Sequence, residues 1–565
     1  MEEFIQTPPA LGNQFTEDEL LISYLKFRLP EKMFDEVFLT LSRFGERVVK
    51  DILYHARDAE EHPPVHIAFD AWGNRVDQIK TSTGWRELHR ISAEEEIVSL
   101  GYSRRYREYS RSVQFAKLYL FHPSSAFYSC PLAMTDGAAK LIEIYGDEEL
   151  KRNAFMHLVS SHPETFWISG QWMTERSGGS DVSGCETIAK EENGQWRLYG
   201  TKWFCSAVDA QMCMLLARIE GDHGESERRG PGLSLFYVEL FKSEDKRHYE
   251  ILRLKDKLGT KALPTAEVKL KGIKAKLVGV PGEGVKQIAS MFNITRLYNA
   301  VTSVAAFRRI LCLAQDYATK RKAFGKNIID QPLISLLLAS AHQDFRKCFH
   351  LTFLISELAG LEERFEELNQ FQLDFDQIKK LLRLLTPVVK LYTAKLVVSW
   401  SSELLEVFGG AGYIEDTGIP QLVRDNQVFS LWEGTTNVMA LDLLRAIKKD
   451  QSFSVFVMMF RKKCKSYEAG EFKAEVRILT SALEQLGEIE KDSEEKSVAE
   501  QEAQAREIAF SIGNLAALVH MLEYVSSADC DQKAKLLFKL CLEKNPVHVE
   551  AMDFDSLEKR SRLFR

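Results

Sequence analysis

The chain has 565 residues, with 45% hydrophobic and 27% charged side chains. That is too long for a single hydrophobic core, and the balance is that of a globular protein, so several domains are expected. A formal net charge of -7 disfavours broad binding to nucleic acid or anionic membrane.

No uninterrupted apolar run is long enough to cross a bilayer. The nine cysteines are scattered without a C-x-x-C, which fits reduced thiols better than a disulfide scaffold or a zinc module. The opening MEEFIQTPPALGNQF is acidic and lacks arginine, unlike a transit or signal peptide. The closing Leu563-Phe564-Arg565 is no peroxisomal address. A cytoplasmic location is expected, with the mitochondrion as the alternative.

From residue 16 to about residue 45, apolar side chains recur at helical spacing, and Thr16 with Glu19 has the pattern of a capping box. Residues 62–85 alternate around an Asn-bearing turn, which predicts a short hairpin. Helical spacing returns after Ser92 and runs past Met134-Thr135-Asp136-Gly137-Ala138. Between about 165 and 284 the segments become short, β-rich and separated by glycines, as in Leu233-Ser234-Leu235-Phe236-Tyr237-Val238. An antiparallel β domain is expected there. Residues 333–361 and 375–407 are long amphipathic runs suited to a helix bundle that ends near Ile447. The remaining region, 450–565, is helical and holds 17 Lys and Arg against 21 Asp and Glu, a net of -4. The predicted class is α+β, mainly α, in four parts: 1–164 helical with a short hairpin, 165–284 β, 285–449 bundle and 450–565 additional helices.

Phosphate-loop, zincin, hydrolase-elbow and Rossmann motifs are all missing. Five stretches could carry chemistry instead. In Leu431-Trp432-Glu433-Gly434-Thr435-Thr436-Asn437, a carboxylate lies among apolar residues where a helix should begin. Desolvation there would suit it to act as a general base. Gln171-Trp172-Met173-Thr174-Glu175-Arg176-Ser177-Gly178-Gly179-Ser180-Asp181 offers free backbone N–H groups to an anion. Thr201-Lys202-Trp203-Phe204-Cys205-Ser206 brings a large aromatic that could cover a planar ring. Arg321-Lys322-Ala323-Phe324-Gly325-Lys326 is a basic knuckle able to pair with phosphate. Glu406-Val407-Phe408-Gly409-Gly410-Ala411-Gly412-Tyr413 ends a helix in a loop where backbone can approach a ligand. Singly, each also reads as ordinary structure: a first-turn Glu, a surface turn, a core Trp, solvated cations, a helix C-cap.

Their order and separations are specific. Taken together they resemble the acyl-CoA dehydrogenases, flavoenzymes that oxidise acyl-CoA thioesters, over about residues 16–447. The T-E-x-x-x-G-S-D, K-W, R-K-x-F-G-K, G-G-x-G-Y and R-D…E-G-T elements occur in family order. Pro131-Leu132-Ala133-Met134-Thr135-Asp136-Gly137-Ala138, Trp203-Phe204, Leu258-Gly259-Thr260-Lys261-Ala262-Leu263-Pro264-Thr265 and Trp432-Glu433-Gly434, with the helical extension after Ile447, are similar to the AidB-like branch.

The resemblance implies a helical amino-terminal domain, a middle β domain and a four-helix bundle that together hold FAD. It places Gln171, Met173, Thr174, Gly179 and Ser180 on the flavin ring and pyrophosphate, with Trp203 packed on the ring beside Phe204, Cys205 and Ser206. It gives Arg321, Glu406, Gly409 and Gly410 to the FAD of a partner chain and counts Gln331 among the cofactor-binding residues, so a homo-oligomer, normally a tetramer built as a dimer of dimers, is implied. Gly434, Thr435 and Asn437 complete the cofactor site, and Ser180, Asn293, Thr295, Arg296 and Glu433 border a fatty acyl-CoA. Glu433 is the implied base for α-proton abstraction, with the β-hydride passing to the flavin. Two positions depart from the main-branch pattern. Cys205 stands where a Thr bonds flavin N5, and Glu406 stands where a Gln precedes the glycine loop. A flavoprotein that binds acyl-CoA with little turnover is therefore the alternative expectation. Some AidB-like proteins bind DNA, but here the cationic clusters at 461–465 and 559–565 are short and the added region is net acidic, which disfavours nucleic acid. The sequence does not indicate the electron acceptor.

Overall fold

Leu29-Pro30 divides the first helical pattern in two. In the computed structural model, helix Glu19–Arg28 ends there and Glu31–Arg47 follows, because proline cannot donate to the preceding turn. The expected capping box at Thr16 and Glu19 does not form. Asp18 caps the helix instead, accepting from the Leu21 N–H at 3.0 Å. Its carboxylate is fixed in that place by Arg308 at 2.7 Å and the Tyr119 hydroxyl at 3.0 Å.

The structure describes residues 6–221, 232–240, 248–364, 373–527 and 530–549. The cationic cluster expected at 559–565 lies outside the described residues. Two compact units divide the chain: 47–104 with 120–298, and 1–46 with 105–119 and 299–565.

The first of these units joins helices Asp51–Glu61, Thr83–Glu94 and Ser129–Tyr145 and the opening turns of Gly284–Lys320 to the β structure. The expected hairpin is present: β1, Val65–Phe69, pairs with β2, Arg75–Lys80, and Asp70 closes the turn by accepting from the N–H groups of Trp72 and Asn74. Seven further strands follow: β3 (Ser169–Trp172), β4 (Ile188–Glu192), β5 (Gln195–Ser206), β6 (Met212–Ile219), β7 (Ser234–Glu239), β8 (Tyr249–Leu254) and β9 (Thr265–Val278). Five of them pair into a closed ring, β6–β4–β5–β9–β7 and back to β6, with β3 and β8 attached outside it. The expectation of a wholly antiparallel sheet needs correcting at β4–β6 and β3–β6, which are parallel. For β4–β6, a pair within the ring, the reason is one of parity. Strand direction cannot alternate all the way round a ring of five, so one pair must run the same way. The ring encloses Leu198, Cys205, Cys213, Leu215, Phe236, Val268 and Ile273, whose burial from water stabilises the closed form.

The second unit is helical. Helices Pro332–Glu363 and Phe375–Val407 pack with Thr436–Asp450 and the later part of Gly284–Lys320, and Ser452–Lys465, Lys473–Glu494, Val498–Val525 and Gln532–Cys541 add a further layer. Val498–Val525 has the length and apolarity of a membrane span, but 83% of its apolar window is buried in the fold. A buried polar knot ties the added helices to the amino-terminal one. Arg28 meets Glu357 at 2.8 Å and Glu523 at 2.7 Å, Lys463 also binds Glu523, and the Tyr24 hydroxyl donates to Glu357. Lys463 belongs to the 461–465 cluster, so one of its cations is used internally.

Candidate functional site

The two elements T-E-x-x-x-G-S-D and K-W are joined by an interaction that sequence reading missed. Lys202 on β5 and Glu175 beyond β3 form a fully buried ion pair at 2.6 Å. Glu175 also accepts from the Glu186 and Thr187 N–H groups and the Thr187 hydroxyl, while Lys202 donates to the Leu216 carbonyl at 2.9 Å. Burial alone would raise the Glu175 pKa, but Lys202 and these donors hold it down at about 2. Opposite charges inside two β-rich segments were the available signal.

The pair fixes the backbone on either side of it. Trp203 N–H donates to the Thr174 carbonyl at 2.8 Å, which sets Met173 and Thr174 beside Trp203. Gly179 returns against Thr174 so closely that a Cβ there would sit 2.6 Å from the Thr174 hydroxyl oxygen. Gly178 N–H and C=O both bond to Glu175, closing the turn. Met173 is buried, Gln171 and Thr174 are half-buried, and Gly179 and Ser180 are exposed. The arrangement is a small-residue turn beside an aromatic ledge. Lys255 lies 3.7 Å from the centroid of the Trp203 ring, and Arg176 lies 5.0 Å from it.

Cys205 does not join that ledge. Pairing of β5 with β9 slips between Lys202 and Cys205, a bulge that turns both side chains inward, and Cys205 packs in the ring's core. Burial raises its thiol pKa well above the usual range. Phe204 is exposed, and Ser206 is half-buried with its hydroxyl 3.2 Å from that of Thr265.

In the helical unit, Glu433 precedes the helix Thr436–Asp450 instead of lying in its first turn, and Thr435 is the cap. Glu433 has φ +58° and Gly434 φ +101°. Only the second of these suits its residue type. Four anchors hold the segment. Lys390, buried in helix Phe375–Val407, donates to the Gly434 carbonyl, and Asn299 donates to the Phe429 carbonyl at 3.2 Å. Asn426 donates to the Ser401 hydroxyl at 2.7 Å, and the Thr435 hydroxyl accepts from Val438 N–H. A Cβ on Gly434 would meet the Met439 methyl carbon at 2.4 Å. The flanking residues provide less apolar enclosure than expected, because Leu431 is 61% exposed and Trp432 and Glu433 are half-buried. Asn437 is exposed.

The same unit brings the basic knuckle and the glycine loop together. The Tyr317 and Phe408 rings lie 5.3 Å apart, Arg321 N–H donates to the Tyr317 carbonyl, and Phe408 leads into Gly409 and Gly410. Gln331 donates from its side chain to the Ala323 carbonyl at 3.3 Å, bracing the hairpin that carries Phe324. Glu406, Gly409 and Gly410 are exposed and Arg321 is half-buried. Asn293, Thr295 and Arg296 do not share one face of their helix. Asn293 is exposed and Arg296 half-buried, whereas Thr295 is buried, facing Gly137 on helix Ser129–Tyr145. The Thr295 methyl group packs toward Gly137.

Three family models match the chain in succession: the Adaptive response protein AidB N-terminal domain over 6–162, the Acyl-CoA dehydrogenase middle domain over 170–273, and the Acyl-CoA dehydrogenase C-terminal domain over 282–448. The chain is 39% identical over 559 residues to acyl-CoA dehydrogenase family member 11 of Caenorhabditis elegans, spanning 96% of this chain and 89% of that one. It is 30% identical to the putative acyl-CoA dehydrogenase AidB of Escherichia coli K12, over 72% of this chain and 74% of that one. The crystal structure of Caenorhabditis elegans ACDH-11 in complex with C11-CoA superposes with a TM-score of 0.91 at 38% identity, covering 100% of this chain and 96% of that one.

Proposed function

The chain belongs to the acyl-CoA dehydrogenase family, whose members are oxidoreductases that use FAD, and on that premise we propose that it converts a fatty acyl-CoA of medium to long chain to the trans-2-enoyl-CoA, with Glu433 as the base. The observation that carries this reading is the backbone of Glu433. A non-glycine residue at φ +58° costs energy, and at Glu433 that conformation coincides with the family's E-G-T element and with fixed anchors on either side. Lys390, Asn299, Asn426 and Thr435 provide that constraint.

In this reading Glu433 takes the α-proton of the thioester, a weakly acidic C–H whose removal requires the carbonyl to be polarised by hydrogen-bond donors. FAD, when bound, supplies the acceptor for the β-hydride. The chain's own features fit that cofactor. Gly179 approaches Thr174 too closely for a side chain and leaves exposed backbone at the turn, and Trp203 beside it offers an aromatic ring flanked by the cations Lys255 and Arg176. Met173, Thr174, Ser180, Trp203 and Ser206 would hold the FAD. Arg321 and the 406–410 segment would take the adenine end of a second chain's FAD. That sharing requires at least a dimer, with a dimer of dimers as the proposed assembly, and two large side chains exposed beside those segments support an interface there: Phe324 at 98% and Tyr413 at 85%. The acyl-chain preference is supported by the C11-CoA complex of the nematode relative.

A second reading, acyl-CoA binding with little turnover, is favoured by one observation. Cys205 packs in the β core, so the position brings no hydroxyl to the ledge.

Anaerobic mixing of the FAD-loaded protein with acyl-CoAs of graded length, followed by the loss of oxidised-flavin absorbance, tests both readings. Dehydrogenation predicts rapid bleaching that Glu433→Gln slows by about 10²–10⁴-fold. Tight binding without bleaching at every chain length would establish the second reading and remove the first.

A further inference from the structure

Trp203 and Phe204 both stand opposite a single residue of the neighbouring strand. β5 pairs with β9 at Lys202 with Val268 and again at Cys205 with Ala266, which leaves Glu267 alone across from the two aromatics. In a regular strand, successive side chains point to opposite faces. A bulge of two residues against one re-aims them. Here both rings end beside one cation, for the Lys255 ammonium lies 3.7 Å from the centroid of the Trp203 ring and 4.6 Å from that of Phe204.

Lys255 is held at both its backbone and its head. It directly follows β8, and its N–H donates to the carbonyl of Thr265 at the start of β9 at 2.7 Å. Its ammonium meets the Glu267 carboxylate at 2.7 Å, and only 10% of the side chain is exposed. Arg253 bonds the same carboxylate oxygen at 2.8 Å but is 65% exposed. Burial pushes the Glu267 pKa up, and the two cations outweigh that and hold it below the usual carboxylate value. A lysine in water samples many rotamers, whereas this one is fixed by a buried charge, and a desolvated cation binds an aromatic face more strongly than an exposed one. Arg176, also near the Trp203 ring, is farther off at 5.0 Å and belongs to an exposed residue.

We propose that Lys255, anchored by Glu267, is a positioning residue of the cofactor site that fixes the plane of the Trp203 ring in advance of FAD. The inference rests on the assignment of Trp203 to FAD made above and adds the group that orients it. Lys255 acts through the indole. A ring ordered beforehand loses no further side-chain freedom when the cofactor binds, so more of the contact appears as affinity.

The test uses the full-length FAD-loaded protein and two readouts: the rate of FAD release on dilution, followed by free-flavin fluorescence, and the visible circular dichroism of the bound flavin. Trp203→Leu should speed release by about tenfold or more. Lys255→Met keeps the aliphatic stem and leaves Glu267 paired with Arg253, so the fold is retained. It should speed release by about tenfold and alter the dichroism. Lys255→Arg keeps a cation beside the rings and should restore both readouts. In the Trp203→Leu background, Lys255→Met should add little, because the two residues act as one unit. The proposal is overturned if Lys255→Met retains FAD as the unmodified protein does, if Lys255→Arg restores neither readout, or if the effects of Lys255→Met and Trp203→Leu add in full. Should Trp203→Leu itself change neither readout, the assignment of Trp203 to FAD fails, and this inference falls with it.

Discussion

The Lys202 ammonium and the Glu175 carboxylate meet at 2.6 Å with 0% and 3% of their side chains exposed. Each belongs to a stretch named for other residues, Thr174 in one case and Trp203 in the other. Removing one partner of such a pair leaves an uncompensated buried charge. Lys202→Met should therefore cost about 3–5 kcal/mol in urea unfolding, and Glu175→Gln with Lys202→Met together should recover part of the loss. Because the pair sets Thr174 beside Trp203, FAD retention on gel filtration should fall in the single variant and return in the double one. Equal losses in the single and double variants would refute the coupling.

Gly434 carries a larger constraint than its size suggests. At φ +101°, with the Met439 methyl 2.4 Å from any Cβ, alanine must strain the backbone and displace Met439. Gly434→Ala should lower stability by about 1–3 kcal/mol and lower the bleaching rate, since Gly434 adjoins Glu433 in the chain. A variant with normal stability and normal bleaching would show that the turn is not held as described.

Lys390 reaches the same turn from helix Phe375–Val407 and donates to the Gly434 carbonyl. Lys390→Met keeps the stem and removes the ammonium. The expected outcome is a bleaching rate reduced by about tenfold or more with FAD content and acyl-CoA affinity little changed, because the change acts on the placement of Glu433. Loss of FAD to the same extent would point instead to a general loosening of the fold.

Acid should weaken the knot that fastens the added helices. His350 and His520 are fully buried 5.5 Å apart, and burial holds both below the usual histidine pKa, with Arg28 adding repulsion to each. The folded chain thus binds fewer protons there than the unfolded chain does. That contribution to stability is complete above the unfolded value of about 6.5 and is lost as pH falls below it. Glu175, depressed to about 2, adds a further loss only below the ordinary carboxylate range. Among the described residues neither ring nitrogen of His350 has a hydrogen-bond partner, so His350→Phe should reduce the fall in urea midpoint between pH 8 and pH 5.5. An unchanged fall would assign the acid sensitivity elsewhere.

Much of this fold can be read from spacing, because long helices and short strands differ in periodicity. Residues 333–361 and 375–407 are helical as their amphipathic runs predict, and the β texture after residue 165 is a sheet. What the sequence hides are choices made by tertiary contacts. Asp18 caps the first helix, in place of Thr16, because Arg308 and Tyr119 hold its carboxylate. Cys205 turns inward because a bulge shifts the register of β5, and alternation alone cannot reveal a bulge. Glu433 was legible as a helix-start carboxylate, but its positive φ was not, since that depends on a lysine more than forty positions earlier in the chain.

The odd-membered ring of strands also has a consequence for biosynthesis. β9 is the last strand of the ring to leave the ribosome, and it is the one that bridges β5 and β7. Until it arrives, the nascent sheet is open, with the free edges of β5 and β7 able to pair with a neighbouring chain and β8 lacking the strand it adjoins. Closure is therefore a single step that waits for residues 265–278, and a polypeptide released before them is left with two adhesive borders.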